Sequence, residues 1–283
     1  MAWEELAART ADGIALRIDR VRAVEPRRGV VVCLHAMMTD GRYFGARRER
    51  SFAAALAAAG LDVFVPDFRG HGRSVPPRAG SPEGDWSFDD LVELDLPAIV
   101  AAVAGAARCP PEGLVLLGHS LGGLVTTAAL ATNRIPAPRL VLLPSTAVWL
   151  VGPAGPLHRR ALMAAYRGVT ALVGRAPVRS LRAGTADESA TYVRQLTGWA
   201  RTARWTSLGG VDYLAALRTI TTPVVPFVGD GDWMCTPSDA RAFASHIPTA
   251  SPVRTVGRAD HFQLFTRHEL APLWSDLAAQ VAG

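Results

Sequence analysis

The stretch Leu114-Val115-Leu116-Leu117-Gly118-His119-Ser120-Leu121-Gly122-Gly123-Leu124 constrains this chain more than any other. A short apolar run, long enough for one buried strand, breaks at a glycine. A serine then stands with glycine two residues to either side, and Leu121, Leu124, Val125, Ala128 and Ala129 follow at helical spacing. Strand, tight turn with serine at its apex, and helix together form the setting in which Gly-x-Ser-x-Gly becomes a nucleophile elbow. The glycines have a steric reason. A serine held in an unfavourable backbone conformation costs roughly 1–3 kcal/mol, and the residues crowding it must lack side chains for strand and helix to close. A Gly/Ser-rich turn would account for the pentapeptide alone, but not for the strand before it and the helix after it.

The rest of the chain repeats that alternation. Leu6 to Val24 reads as two strands around a Thr10-Ala11-Asp12-Gly13 turn. Further strands are predicted over 30–34, 61–66, 114–118, 139–143, 222–228 and 252–256. Helices are predicted over 52–59, 89–104, from the elbow to about 133, 239–246 and 270–281, with a Pro/Gly loop over 75–84. Val30-Val31-Val32-Cys33-Leu34 is continuously apolar, as a strand buried on both faces should be. The class is therefore α/β, a mostly parallel twisted sheet with helices on both faces. The rhythm stops over 146–217, where helical stretches and the aromatics Trp149, Tyr166, Tyr192, Trp199, Trp205 and Tyr213 replace β-branched strand runs. Because strands resume afterwards, 146–217 is expected to be a helical insertion in a core domain formed by 1–145 and 218–283.

At 283 residues the chain can bury a sizeable core without disulfides or metal. No window reaches the roughly 18 uninterrupted apolar residues of a membrane span. Met1-Ala2-Trp3-Glu4-Glu5-Leu6 has acidic residues where a secretory signal has basic ones, which points to a cytoplasmic location. The net charge of +5 comes from 30 cationic residues, all arginine. They are scattered, with short clusters at Arg27-Arg28, Arg47-Arg48 and Arg159-Arg160, a weak case for a polyanion partner. No nucleic-acid motif is present. Cys33, Cys109 and Cys235 have neither metal spacing nor the pattern of a disulfide framework, and Cys33 reads as a small buried hydrophobe. No metal or other cofactor is expected. The expected partner is a small-molecule acyl substrate, bound by a monomer or homodimer.

A serine hydroxyl needs a base, usually histidine, itself oriented by a carboxylate. In open parallel sheets functional side chains sit just past the carboxyl ends of strands. Three strand ends offer the required types: Ser120, then Asp230 or Asp232, then His261. Asp232 is favoured, because Asp230 directly follows Gly229 and suits a turn, whereas Asp232 lies where the loop has come back across the sheet. His261 alone follows the final strand. His119 adjoins the serine, but the elbow points neighbouring side chains apart. His35 and His71 lie in strand-end loops, where structural hydrogen bonding is the expected role. His158, His246 and His268 sit in helical or surface contexts. The oxyanion of a tetrahedral intermediate needs two backbone N–H donors, expected from Leu121 and from Met37, with Ala36 as the second choice in that loop.

Gly118-His119-Ser120-Leu121-Gly122-Gly123, Pro66-Asp67-Phe68-Arg69-Gly70-His71-Gly72-Arg73-Ser74 and the Asp232 and His261 turns resemble the α/β-hydrolase fold superfamily. The likeness runs from about residue 5 to the C-terminus, outside the insertion. Trp86 with the acidic helix after it, the Trp199/Trp205 region, His261-Phe262 and Leu273-Trp274 further resemble a bacterial group of α/β hydrolases. The usual His-Gly after the third strand is His35-Ala36 here. The resemblance implies that 146–217 is a cap after the sixth strand that roofs the site. His35, Ala36, Met38, His119, Trp233, Trp149 and Trp199 are candidates for the substrate pocket.

The leading reading is a cofactor-independent serine hydrolase of a carboxylic ester, with an acyl-enzyme on Ser120. The same site would also serve a thioesterase, a carbon–carbon hydrolase or a cyclising acyltransferase of a biosynthetic pathway. A non-catalytic ligand-binding protein on the same fold is disfavoured by the intact Ser, Asp and His.

Overall fold

The computed structural model describes residues 2–24, 26–74 and 84–283. All but the last residue of the loop expected over 75–84 lies outside them. The first half runs β1 (Trp3–Arg9), β2 (Ala15–Val21), β3 (Gly29–Leu34), α1 (Phe52–Ala58), β4 (Leu61–Pro66), α2 (Phe88–Asp90), α3 (Leu96–Ala107) and β5 (Leu114–Gly118). Then follow α4 (Leu121–Ala131), β6 (Leu140–Pro144), α5 (Leu157–Val173), β7 (Arg175–Ala176), β8 (Glu188–Ser189) and α6 (Ala190–Thr202). The chain finishes with α7 (Tyr213–Ala216), β9 (Val224–Gly229), α8 (Pro237–Ala244), β10 (Arg254–Val256) and α9 (Ala271–Ala282).

Eight strands form one sheet in the order β1-β2-β4-β3-β5-β6-β9-β10. β1 and β2 are an antiparallel hairpin, β2 joins β4 antiparallel, and the remaining pairings are parallel. The apolar runs of the central strands follow from burial on both sides. Val30, Val32 and Leu34 pack on one face with α3 and α4, whereas Val31 and Cys33 pack on the other with α1 and α9. Side chains that alternate across a strand must all be apolar when both faces are covered.

The helix predicted over 89–104 begins at Phe88, where Ser87 and Asp90 form a capping box. It then widens into a π turn over Leu91–Asp95, with the Leu96 N–H bonded to the Leu91 carbonyl. Pro97, next in line, has no N–H to continue the regular ladder. The strand predicted over 252–256 is ordered as such only from Arg254. Between β6 and β9 the predicted helical stretches are α5, α6 and α7, joined by long irregular segments, and β7 and β8 add a two-residue antiparallel ribbon, too short to leave a periodic signal.

Candidate active site

The elbow is built by close approach. Ser120 has φ 52° and ψ −110°, in the positive-φ region that L-residues avoid, and at the N-cap of α4 its side chain accepts no hydrogen bond from the helix. The peptides around it are tied to both neighbouring strand ends. The His119 N–H donates to the Leu34 carbonyl at 2.9 Å and the Ser120 N–H to the Pro144 carbonyl at 3.2 Å. The Gly122 N–H reaches both the His35 and His119 carbonyls. A Cβ on Gly118 would lie 2.6 Å from the Gly122 carbonyl oxygen, and one on Gly122 would collide with the Leu34 carbonyl. Leu121, as first residue of α4, has an N–H with no acceptor inside the helix.

The strand ends of β9 and β10 bring Asp232 to His261. His261 Nδ1 lies 2.8 Å from Asp232 Oδ2, and both side chains are buried. The other carboxylate oxygen, Oδ1, accepts the Met234 and Cys235 N–H groups at 2.9 and 2.7 Å. The carboxylate is thus oriented from behind by backbone and offers one oxygen to the imidazole. Asp230 does something else. It is exposed, and its Oδ1 accepts the Ala259 N–H at 3.3 Å, which ties the two strand-end loops together.

The loop after β3 is held by residues that carry no sequence signal for the task. His35 Nε2 accepts the Phe68 N–H at 3.1 Å, so Nδ1 carries the proton and donates to the Ala36 carbonyl at 2.8 Å. Met38, at φ 61°, donates its N–H to Glu188 Oε1, and its carbonyl accepts the N–H groups of Thr185 and Ala186. Glu188 Oε1 also lies 3.2 Å from His71 Nε2, while His71 Nδ1 donates to the Arg69 carbonyl. The segment around β8 therefore clasps Met38 on both sides of its peptide, next to Met37. Glu188 was not among the residues singled out from the sequence.

Three buried histidines differ in charge behaviour. Burial, with His71 beside it, drives His35 down to about 3. His119 is pushed well below its ordinary value by burial and by His261; its ring stacks on Tyr43 at 4.9 Å, and neither nitrogen has a hydrogen-bond partner among the described residues. Burial alone would lower His71 too, but the Glu188 carboxylate and the Arg69 carbonyl outweigh it and raise the group. Below the unfolded value of about 6.5, the unfolded chain binds protons that His35 and His119 refuse. Stability should therefore fall with acid by about 1.4 kcal/mol per pH unit for each ring. His71, raised when folded, adds nothing to that acid slope. Urea midpoints are expected to drop from pH 7 to pH 5, with part of the loss offset because Asp95, pushed up to about 6 by burial, takes up a proton in the folded state; His119→Phe is expected to remove one proton's worth of slope. An unchanged slope would count against a neutral His119.

The pocket candidates separate into two groups. His35, Ala36, His119 and Trp199 are sealed in the interior and do not present an open wall. Trp199 packs edge-on against Phe88 and donates its indole N–H to the Thr206 carbonyl, which explains an aromatic that serves packing. Met37 and Met38 are half-buried, Trp149 donates to the Met234 carbonyl at 2.6 Å, and Trp233 is exposed. A separate cleft of about 350 Å³ lies between the insertion and α8, lined by Val148, Leu150, Arg159, Leu214, Asp239 and Phe243 among others. Ser120, Asp232 and His261 do not line it. Among the described residues no cluster of His, Cys, Asp and Glu could hold a metal ion.

This sheet order, with a positive-φ serine at the β5–α4 turn and a carboxylate–histidine pair on later strand ends, defines an α/β hydrolase. The sequence matches the Hydrolase_4 family, described as serine aminopeptidase, S33, over residues 25–261, and the chain belongs to that family. Over 89 residues it is 30% identical to the lipase lipl-1 of Caenorhabditis elegans, a match covering 30% of this chain and 22% of the lipase. The chain thus matches only about a fifth of that relative's length. The fold superposes on the esterase EaEST from Exiguobacterium antarcticum with a TM-score of 0.69 at 16% identity, covering 99% of this chain and 100% of that one. It superposes on the esterase RhEst1 from Rhodococcus sp. ECU1013 with a TM-score of 0.62 at 22% identity, covering 99% and 98%. At such identities the likeness is one of fold.

Proposed function

We propose that the chain is a serine hydrolase that cleaves a carboxylic ester through an acyl-enzyme on Ser120. The observation that carries this reading is the 2.8 Å contact between His261 Nδ1 and a buried Asp232 whose second oxygen is already occupied. With its Nδ1–H donating a hydrogen bond to Asp232, His261 keeps Nε2 as the acceptor a base requires. The Ser120 hydroxyl adds to the ester carbonyl as His261 takes its proton. The oxyanion rests on the N–H groups of Leu121 and Met37, and His261 returns the proton to the departing alcohol. Water, deprotonated by the same imidazole, then releases the acid. The segment 146–217 acts as a roof over this site, with Met38 and Trp233 at its lining.

A fluorophosphonate probe tests the reading directly. It should add to the wild-type chain once, and peptide mapping should find the adduct on Ser120. A chain that neither takes the label nor hydrolyses short-chain nitrophenyl esters would sink it. A panel of oxygen esters and thioesters of equal acyl length then sorts esterase from thioesterase.

A further inference from the structure

The helix α5 carries an apolar face on which nothing packs among the described residues. Six of the ten exposed large apolar side chains among the described residues fall between positions 157 and 181. Leu162, Val169, Leu172 and Val173 recur at helical spacing on one side of α5, with Leu157 at its start and Leu181 just beyond. Leu172 is 89% exposed and Leu157 75%, far more than scattered surface leucines require. Thr170 is the only residue of the helix that is fully buried.

The charge carried by this segment itself is of one sign. No aspartate or glutamate occurs between Glu112 and Asp187, while 157–182 holds six arginines, more than the net charge of the whole chain. Arg159 and Arg175 pair with Asp239 and Asp187. Arg160, Arg167, Arg179 and Arg182 are exposed and make no ion pair among the described residues.

We propose that α5 and the turn after it form a docking surface for an anionic lipid bilayer. Exposed arginines reach phosphate headgroups while the leucine and valine row enters the acyl boundary, the arrangement of an interfacial amphipathic helix. A nucleic acid would use the arginines and leave the apolar row in water. A second copy of the chain, packed face to face, would bring the same unpaired arginines close together. The exposed Trp233 continues the surface toward the candidate site. Its ring lies 6.4 Å from Trp149, and Arg159 of α5 sits 4.5 Å over that Trp149 ring. The docked face and the Asp232 loop thus share one edge. This surface stands independently of the serine reading.

The test uses the full chain and vesicles of phosphatidylcholine, alone or with about one third phosphatidylglycerol. Co-sedimentation is expected to favour the anionic vesicles by roughly tenfold or more and to weaken in high salt. Leu172→Glu and the double variant Arg160→Glu/Arg167→Glu should each lower that partition about tenfold. These positions face solvent, so both variants should melt with wild type and keep wild-type turnover of a water-soluble ester. Absent partition, equal partition onto both vesicles, or wild-type partition by both variants overturns the proposal. So does a dimer in analytical ultracentrifugation that Leu172→Glu splits while vesicles bind nothing, which would assign the face to a second copy.

Discussion

Ser120→Ala is expected to lower kcat on a short-chain nitrophenyl ester by about 10⁶-fold, as loss of the nucleophile does in serine hydrolases whose three groups act as a unit. The variant should fold normally. Alanine keeps the Cβ that serine already holds at φ 52°, and the backbone hydrogen bonds that tie the elbow to Leu34 and Pro144 are unchanged. The hydroxyl is not spent on capping α4, so no structural hydrogen bond of that kind is removed. Steady-state rates on purified protein, corrected for spontaneous hydrolysis, measure the effect. A loss below about tenfold would show that the chemistry does not pass through Ser120.

Asp232→Asn should lower kcat by about 10⁴-fold, whereas Asp230→Asn should leave it within about threefold of wild type. The amide can still accept the Met234 and Cys235 N–H groups through its oxygen, which occupies the Oδ1 position. Its nitrogen then faces His261 Nδ1 as a donor. The imidazole must present Nδ1 as an acceptor and carry its proton on Nε2, where it can no longer take one from serine. Asp230 is exposed and among the described residues accepts only the Ala259 N–H, a tie the Asn oxygen can keep, so the change leaves the imidazole alone. Side-by-side kinetics of the two variants decide between the aspartates; equal losses would undo the assignment.

The elbow was legible because every part of it is local. An apolar strand, glycines at the points of closest approach and a helical repeat all lie within a few residues, and each reflects a steric or burial requirement of its own neighbours. The candidate Asp and His could be picked out for a related reason, since strand ends are where an open parallel sheet presents side chains. The roles of the other histidines were less legible. His35 and His71 were expected to make structural hydrogen bonds, with His35 also a pocket candidate, but nothing in their spacing says that Phe68 meets one ring and Glu188 the other. His119, Ala36 and Trp199 read as pocket residues because they lie near informative positions, yet packing density took all three into the interior.

What the sequence by itself determined is the fold class and the order of chemistry-bearing strand ends. Periods of two and of 3.6 residues, and glycine where backbones touch, are written in neighbouring residues. Only the tertiary structure decided that His261 faces Asp232, and that Glu188 grips Met38 from 150 positions away. It alone left the leucine and valine row of α5 uncovered among the described residues. Those are through-space outcomes. A hydrogen bond or an exposed face depends on which distant segments come to lie beside it, and no local period records that.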